Sequence, residues 1–105
     1  MGERDVEATE LSFSGEIFCW RGPSPFHFVR VPQEVAEELT DVAREVTYGW
    51  GMVPVRMSSG GTVWETSLWP KDGGYLVPIK DVVRQDEDVD EGDVLDLRLT
   101  VRRRR

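Results

Sequence analysis

The sequence predicts a mainly β domain: six strands forming a small barrel or rolled sheet, capped by two helices, in the order ββαβββαβ. Three observations predict it. Apolar residues alternate with period two in short segments separated by Gly- and Pro-rich turns. Two of those segments flank Gly60-Gly61, a two-residue hairpin signal. Helical periodicity is confined to the stretch after Pro32 and to a short piece at Ile79–Arg84. Chains of this kind usually close into a barrel or a rolled sheet.

Residues 1–10 lack periodicity and read as a flexible leader, followed by one domain over 11–101 and a basic tail over 102–105. From Leu11 the alternation sets Phe13, Gly15, Ile17 and Cys19 on one face and Ser14, Glu16, Phe18 and Trp20 on the other. Arg21–Pro25 is a turn, and Phe26–Val31 a second strand. Pairing Trp20 with Phe26 sets Phe18 opposite Phe28, Ile17 opposite Val29, Cys19 opposite His27 and Glu16 opposite Arg30. Both faces of this hairpin are apolar, one aromatic and one aliphatic. The aromatic face is therefore core or a self-association surface.

Pro32 opens a helix whose Val35, Leu39, Val42 and Val46 share a stripe, while acidic residues crowd its first half and favour the helix dipole. Tyr48-Gly49-Trp50-Gly51 ends it. Met52–Met57 and Thr62–Trp69 follow as a hairpin, with Met57 opposite Trp64, Val55 opposite Thr66, Val53 opposite Leu68, and Arg56 meeting Glu65 on the other face. A simple loop at Pro70–Gly74 would mix polar and apolar groups. A Gly bulge is expected there, setting Leu68 against Tyr75 and Trp64 against Ile79. Asp93–Val101 is the last strand, with Leu95, Leu97, Leu99 and Val101 inward.

At 105 residues and 39% hydrophobic content, one modest core is the limit. Apolar runs fall far short of the roughly 20 residues that span a bilayer. The acidic first ten residues carry no signal-peptide pattern, and a single cysteine forms no internal disulfide. A cytoplasmic location is expected. Net charge is −7 with four arginines at the end, so residues 1–101 carry −11. A body this acidic repels a phosphate backbone, leaving only the Arg102–Arg105 tail for nucleic acid.

The residues VPVRMSSGGTVWETSLWPKDGGYLVPIKDVVR at Val53–Arg84 resemble family 1905 of the domains of unknown function, small bacterial domains with a VPV strand, a Gly turn, an SLxPxxGG hairpin and a capping IKxxxR. Phe26–Pro32 and the Glu91-Gly92-Asp93-Val94 entry to the last strand extend the resemblance over about Leu11–Val101. The resemblance implies a double-split pseudobarrel, akin to swapped-hairpin barrels. It implies no activity.

Candidate chemistry is sparse. Cys19 and His27, set opposite each other, are the only thiol–imidazole pair, and such a pair activates a nucleophile; the sequence supplies no third group to orient the imidazole. Asp86, Asp88 and Asp90 fit the first positions of a calcium loop, but Glu91 stands where Gly is required and Leu97 where the bidentate acid belongs. Lys71–Gly74 is a turn with weak anion-cradling character. No metal site and no cofactor is expected. The best constellation joins Trp50, Trp64, Trp69 and Tyr75 with Arg56, Lys71, Lys80 and Arg84, aromatics beside cations that suit a flat or anionic ligand or an interface. The leading expectation is a non-catalytic module binding a small molecule or a protein, as a monomer or homodimer. The alternatives are a Cys/His-dependent enzyme and a swapped-hairpin nucleic-acid binder using the Arg tail.

Overall fold

Six antiparallel strands close on themselves because two of them are long enough to serve two neighbours in succession. The computed structural model describes residues 6–22, 26–46 and 51–104. The elements are β1 (Val6–Trp20), β2 (Phe26–Arg30), α1 (Gln33–Val46), β3 (Val53–Ser59), β4 (Thr62–Lys71), β5 (Gly74–Pro78), α2 (Asp81–Glu87) and β6 (Val94–Arg104). Around the barrel they run β1-β2-β5-β4-β3-β6. β1 pairs with β6 through Glu16 and with β2 from Ile17 onward. β4 pairs with β3 through Leu68 and with β5 from Trp69 to Lys71. The barrel is thus split at two places, as the resemblance implied, and its mainly β architecture with two helices is the one expected.

The β1–β2 register is the expected one from Ile17↔Val29 to Trp20↔Phe26. The ladder stops there. Glu16 faces Val94 of β6 instead of Arg30, and the Arg30 guanidinium donates to the carbonyls of Lys71 at 3.1 Å and Asp72 at 3.2 Å. The β3–β4 register is also as read, including the Arg56–Glu65 pair, in which Nε and Nη2 both donate to Oε2.

Three expectations are corrected. No bulge separates β4 from β5: Lys71↔Gly74, Pro70↔Tyr75 and Trp69↔Leu76 flank a two-residue Asp72-Gly73 turn. Both turn residues have positive φ, 52° and 78°, as a type I′ hairpin needs. Pro70 is tolerated because the ladder alternates, and the pair next to the closing Lys71/Gly74 pair exchanges no N–H. Second, β1 begins at Val6 and β6 runs to Arg104, so part of the expected leader and most of the expected tail pair with each other, Val6↔Arg104 to Glu10↔Thr100. Each strand supplies the other's backbone partners, so no apolar alternation is needed. Third, the second helix starts at Asp81, not Ile79, because the Ile79 N–H is held by the His27 carbonyl at 2.8 Å and its side chain is buried.

The barrel interior holds Ile17, Val29, Val53, Met57, Trp64, Leu68, Val77, Leu95, Leu97, Leu99 and Val101, all buried. α1 covers one end with Ala36, Leu39, Val42 and Ala43 while Glu34, Glu37, Glu38 and Asp41 face water. The Pro32 carbonyl accepts the N–H groups of Val35 and Ala36, which fixes the helix start. α2 inserts Val83, fully buried, and ends at Asp88 in the left-handed conformation.

Gly15 lies where β1 passes from one sheet to the other, and a Cβ there would collide with Cγ1 of Val29 and touch the Arg30 carbonyl. Val29 is fully buried and β-branched, so it has no room to turn away. Gly15→Ala is expected to cost about 1–3 kcal/mol, measured by chemical denaturation.

Candidate functional site

Alternation along β1 and β2 sends Ile17 and Val29 into the barrel and Phe18, Trp20, Phe26 and Phe28 to its outside. On that outer surface the side chains do not simply stand in water. Phe28 is fully buried although it is not part of the barrel interior. Its ring centroid lies 6.0 Å from Phe18, 6.3 Å from Trp20, 6.2 Å from Phe26 and 5.2 Å from Trp69, the last edge-on. Leu76, opposite both Arg30 and Trp69, is also buried here. The result is a second, external apolar cluster. Its outer members stay exposed: Phe18 38%, Trp20 44% and Phe26 49%.

Beside this face the two strands of the second split part company. The β4–β5 ladder ends at Trp69↔Leu76, after which β5 follows β2. The opening is a cleft of about 430 Å³ walled by Phe26, Trp69, Pro78 and Ile79, with Lys80 and Asp81 on its rim. Lys80 Nζ reaches across to the Glu65 carbonyl at 2.9 Å. At the corresponding place on β1 the chain closes the gap itself, since Ile17 exchanges 2.8 Å backbone hydrogen bonds with Gly92 and Asp93.

The expected constellation is divided by the barrel wall. Trp69, Lys71 and Lys80 lie on the aromatic face or its cleft, Lys71 with its Nζ 4.8 Å from the Trp20 ring. Trp64 is in the core opposite Met57, its indole N–H without a partner among the described residues. Tyr75 packs half-buried against the core. Arg56 is held by Glu65, and Arg84 by Asp81 at 2.7 Å and Asp90 at 3.1 Å. Trp50 lies outside the described residues. Sequence reasoning assigned Phe18, Trp20, Phe26 and Phe28 to one face without placing them in the site, and it did not single out Arg30. The signal was their shared parity.

Cys19 and His27 are cross-strand partners, and His27 Nε2 lies 3.5 Å from Asp90 Oδ1. Among the described residues no hydrogen bond joins the thiol to the imidazole, and no three His, Cys, Asp or Glu side chains are grouped to hold a metal. Asp90 organises this corner. The Glu91 N–H holds its carboxyl below the ordinary value against the opposing effect of desolvation, helped by the charges of Arg84 and His27. The hydrogen bond to Asp81 chiefly raises the Arg84 guanidinium. A groove of about 400 Å³ on the opposite wall is lined by Ser12, Ser14, Ser58, Asp96 and Arg98, but Asp96 takes the Ser14 and Ser59 hydroxyls on its carboxylate and carbonyl. The Ser14 and Ser59 hydroxyls are thus already engaged within the groove. No described helix is long and apolar enough to cross a membrane.

Fold and site define a small closed antiparallel barrel with an aromatic outer face. Residues 13–99 match DUF1905, a domain of unknown function, and the chain belongs to that family. Comparison with curated proteins gives no match.

A carboxyl held below its ordinary value stabilises the fold above that value and ceases to do so as the pH falls through its lowered pKa. Asp90→Asn is therefore expected to lower the melting temperature at neutral pH, with the difference shrinking once the pH drops below the ordinary value of 3.8. Thermal melts of both proteins across pH 2–8 read this directly.

Proposed function

We propose that this domain is a non-catalytic binding module whose docking surface is the outer aromatic face. The observation that carries the reading is the arrangement of Phe18, Trp20 and Phe26, each more than a third exposed, on the fully buried ring of Phe28. Exposed aromatics on a rigid base supply large contact area at small entropic cost, which is why they anchor interfaces. The adjoining cleft is of a size that takes one large side chain or a small ligand. A single cysteine suits a reducing compartment and supports a cytoplasmic setting.

The second reading, a thiol enzyme, draws on the Cys19↔His27 pairing and the nearby Asp90 carboxylate. Alkylation of Cys19 at neutral pH that is suppressed in His27→Ala would favour it; an unreactive thiol ends it.

The binding reading separates two kinds of aromatic. Phe28→Ala is expected to cost about 3–5 kcal/mol of stability, read by denaturant unfolding. Trp20→Ala and Phe26→Ser are expected to cost less, about 0.5–1.5 kcal/mol for each ring pair given up. They are also expected to weaken, by about tenfold or more, the binding of peptides selected on the wild-type chain from a random displayed library. If selection yields no peptide that distinguishes wild type from these two variants, the face is not a docking surface.

A further inference from the structure

The charges around the aromatic face point to the chemistry of its partner. Among the described side chains, Arg21, Arg44, Arg56, Arg84 and Arg98 each lie within 4.0 Å of a carboxylate. Arg30, Lys71 and Lys80 do not. Arg30 is tied to two backbone carbonyls, Lys71 to the Trp20 ring and Lys80 to the Glu65 carbonyl. These contacts fix the three side chains and leave their charge without a carboxylate counterpart. All three border the aromatic face or its cleft. On a chain of net charge −7, where acidic partners are plentiful, the uncompensated cations among the described side chains are gathered at one place.

We propose, building on the binding-module reading, that the face takes an acidic segment of a partner protein carrying an aromatic or large aliphatic anchor. The anchor enters the cleft beside the packed Phe26 and Trp69 rings, against Pro78 and Ile79, and flanking Asp or Glu side chains meet Lys80 on the cleft rim, Lys71 over Trp20 and Arg30 beside the Lys71-Asp72 turn. A carboxylate gains most from a cation already immobilised and backed by apolar surface, because little entropy is lost and water is partly excluded. Charge complementarity also decides between occupants. A second copy docking by a two-fold axis would set this cationic face against an identical one. Nucleic acid and anionic bilayers would extend beyond the three cations over the acidic body, which repels them, whereas a short segment stays within the face.

The test is selection of random linear peptides displayed on phage against the immobilised full chain, followed by affinity measurements on synthetic copies of the winners. The expected winners combine Asp or Glu with Trp, Phe or Leu. Their affinity should fall about tenfold in a Lys71→Gln, Lys80→Gln double variant of unchanged melting temperature, and fall again between 50 and 500 mM salt, roughly where screening becomes complete. Winners that are neutral or basic, or whose binding ignores salt and the double variant, would overturn the acidic partner while leaving the docking surface standing. An empty selection removes both. Light scattering that shows a dimer dispersed by Trp20→Ala would assign the face to a second copy, and sedimentation with phosphatidylserine vesicles would assign it to a membrane; either result overturns the proposal.

Discussion

Every N–H and C=O along a closed sheet needs a partner on both sides, and this molecule meets that demand with two strands that change neighbours partway along. β1 gives its first eleven residues to β6 and its last four to β2. β4 divides itself between β3 and β5. Wherever a strand changes neighbours, a gap opens between the two it serves. The chain treats the two gaps differently. Backbone from Gly92 and Asp93 fills the one beside β1, whereas a lysine side chain spans the one beside β4. The cleft is therefore a product of barrel closure and needs no insertion or extra loop to create it.

The same closure explains why an outer surface is so apolar. β1, β2, β4 and β5 present one parity of residues to the interior and the other to the aromatic cluster, so this wall of the barrel is apolar on both sides. Phe28 loses all its exposure without entering the interior, because Phe18, Trp20, Phe26 and Trp69 lean over it. Ring pairs of this kind contribute about 0.5–1.5 kcal/mol each beyond area burial. The cluster is thus rigid while remaining open to water at its rim, and the Arg30 guanidinium ties the adjacent Lys71-Asp72 turn to β2.

Most of the architecture was legible because it depends on local pattern. The Cys19–His27 and Arg56–Glu65 registers follow from alternation and turn length, which the sequence states openly. The Val6–Glu10 pairing with Thr100–Arg104 was not legible, since backbone partnership at a ribbon end leaves no apolar trace. The Asp72-Gly73 turn was misread because a proline next to a hairpin suggests a longer irregular loop, whereas ladder alternation gives Pro70 a position that needs no donor. For the site, residue type identified Trp69, Lys71 and Lys80, but parity alone could not tell that Trp64 and Tyr75 lie on the other side of the wall. Arg30 escaped notice because its expected partner, Glu16, belongs to a different ladder.

The long β1–β6 ladder joins the first and last strands of the barrel, Val6 against Arg104. Contacts of that sequence separation form late, because nearly the whole chain must be gathered before the first of them is rewarded. Each doubling of an ordering loop adds only about 0.6 kcal/mol of closure entropy, so the burden falls on speed more than on final stability. A nascent chain would hold the first eleven residues of β1 unpaired until β6 emerged. The two hairpins that carry the aromatic face each form from local contacts and join through β2 and β5, so the surface can take shape before β1 and β6 pair.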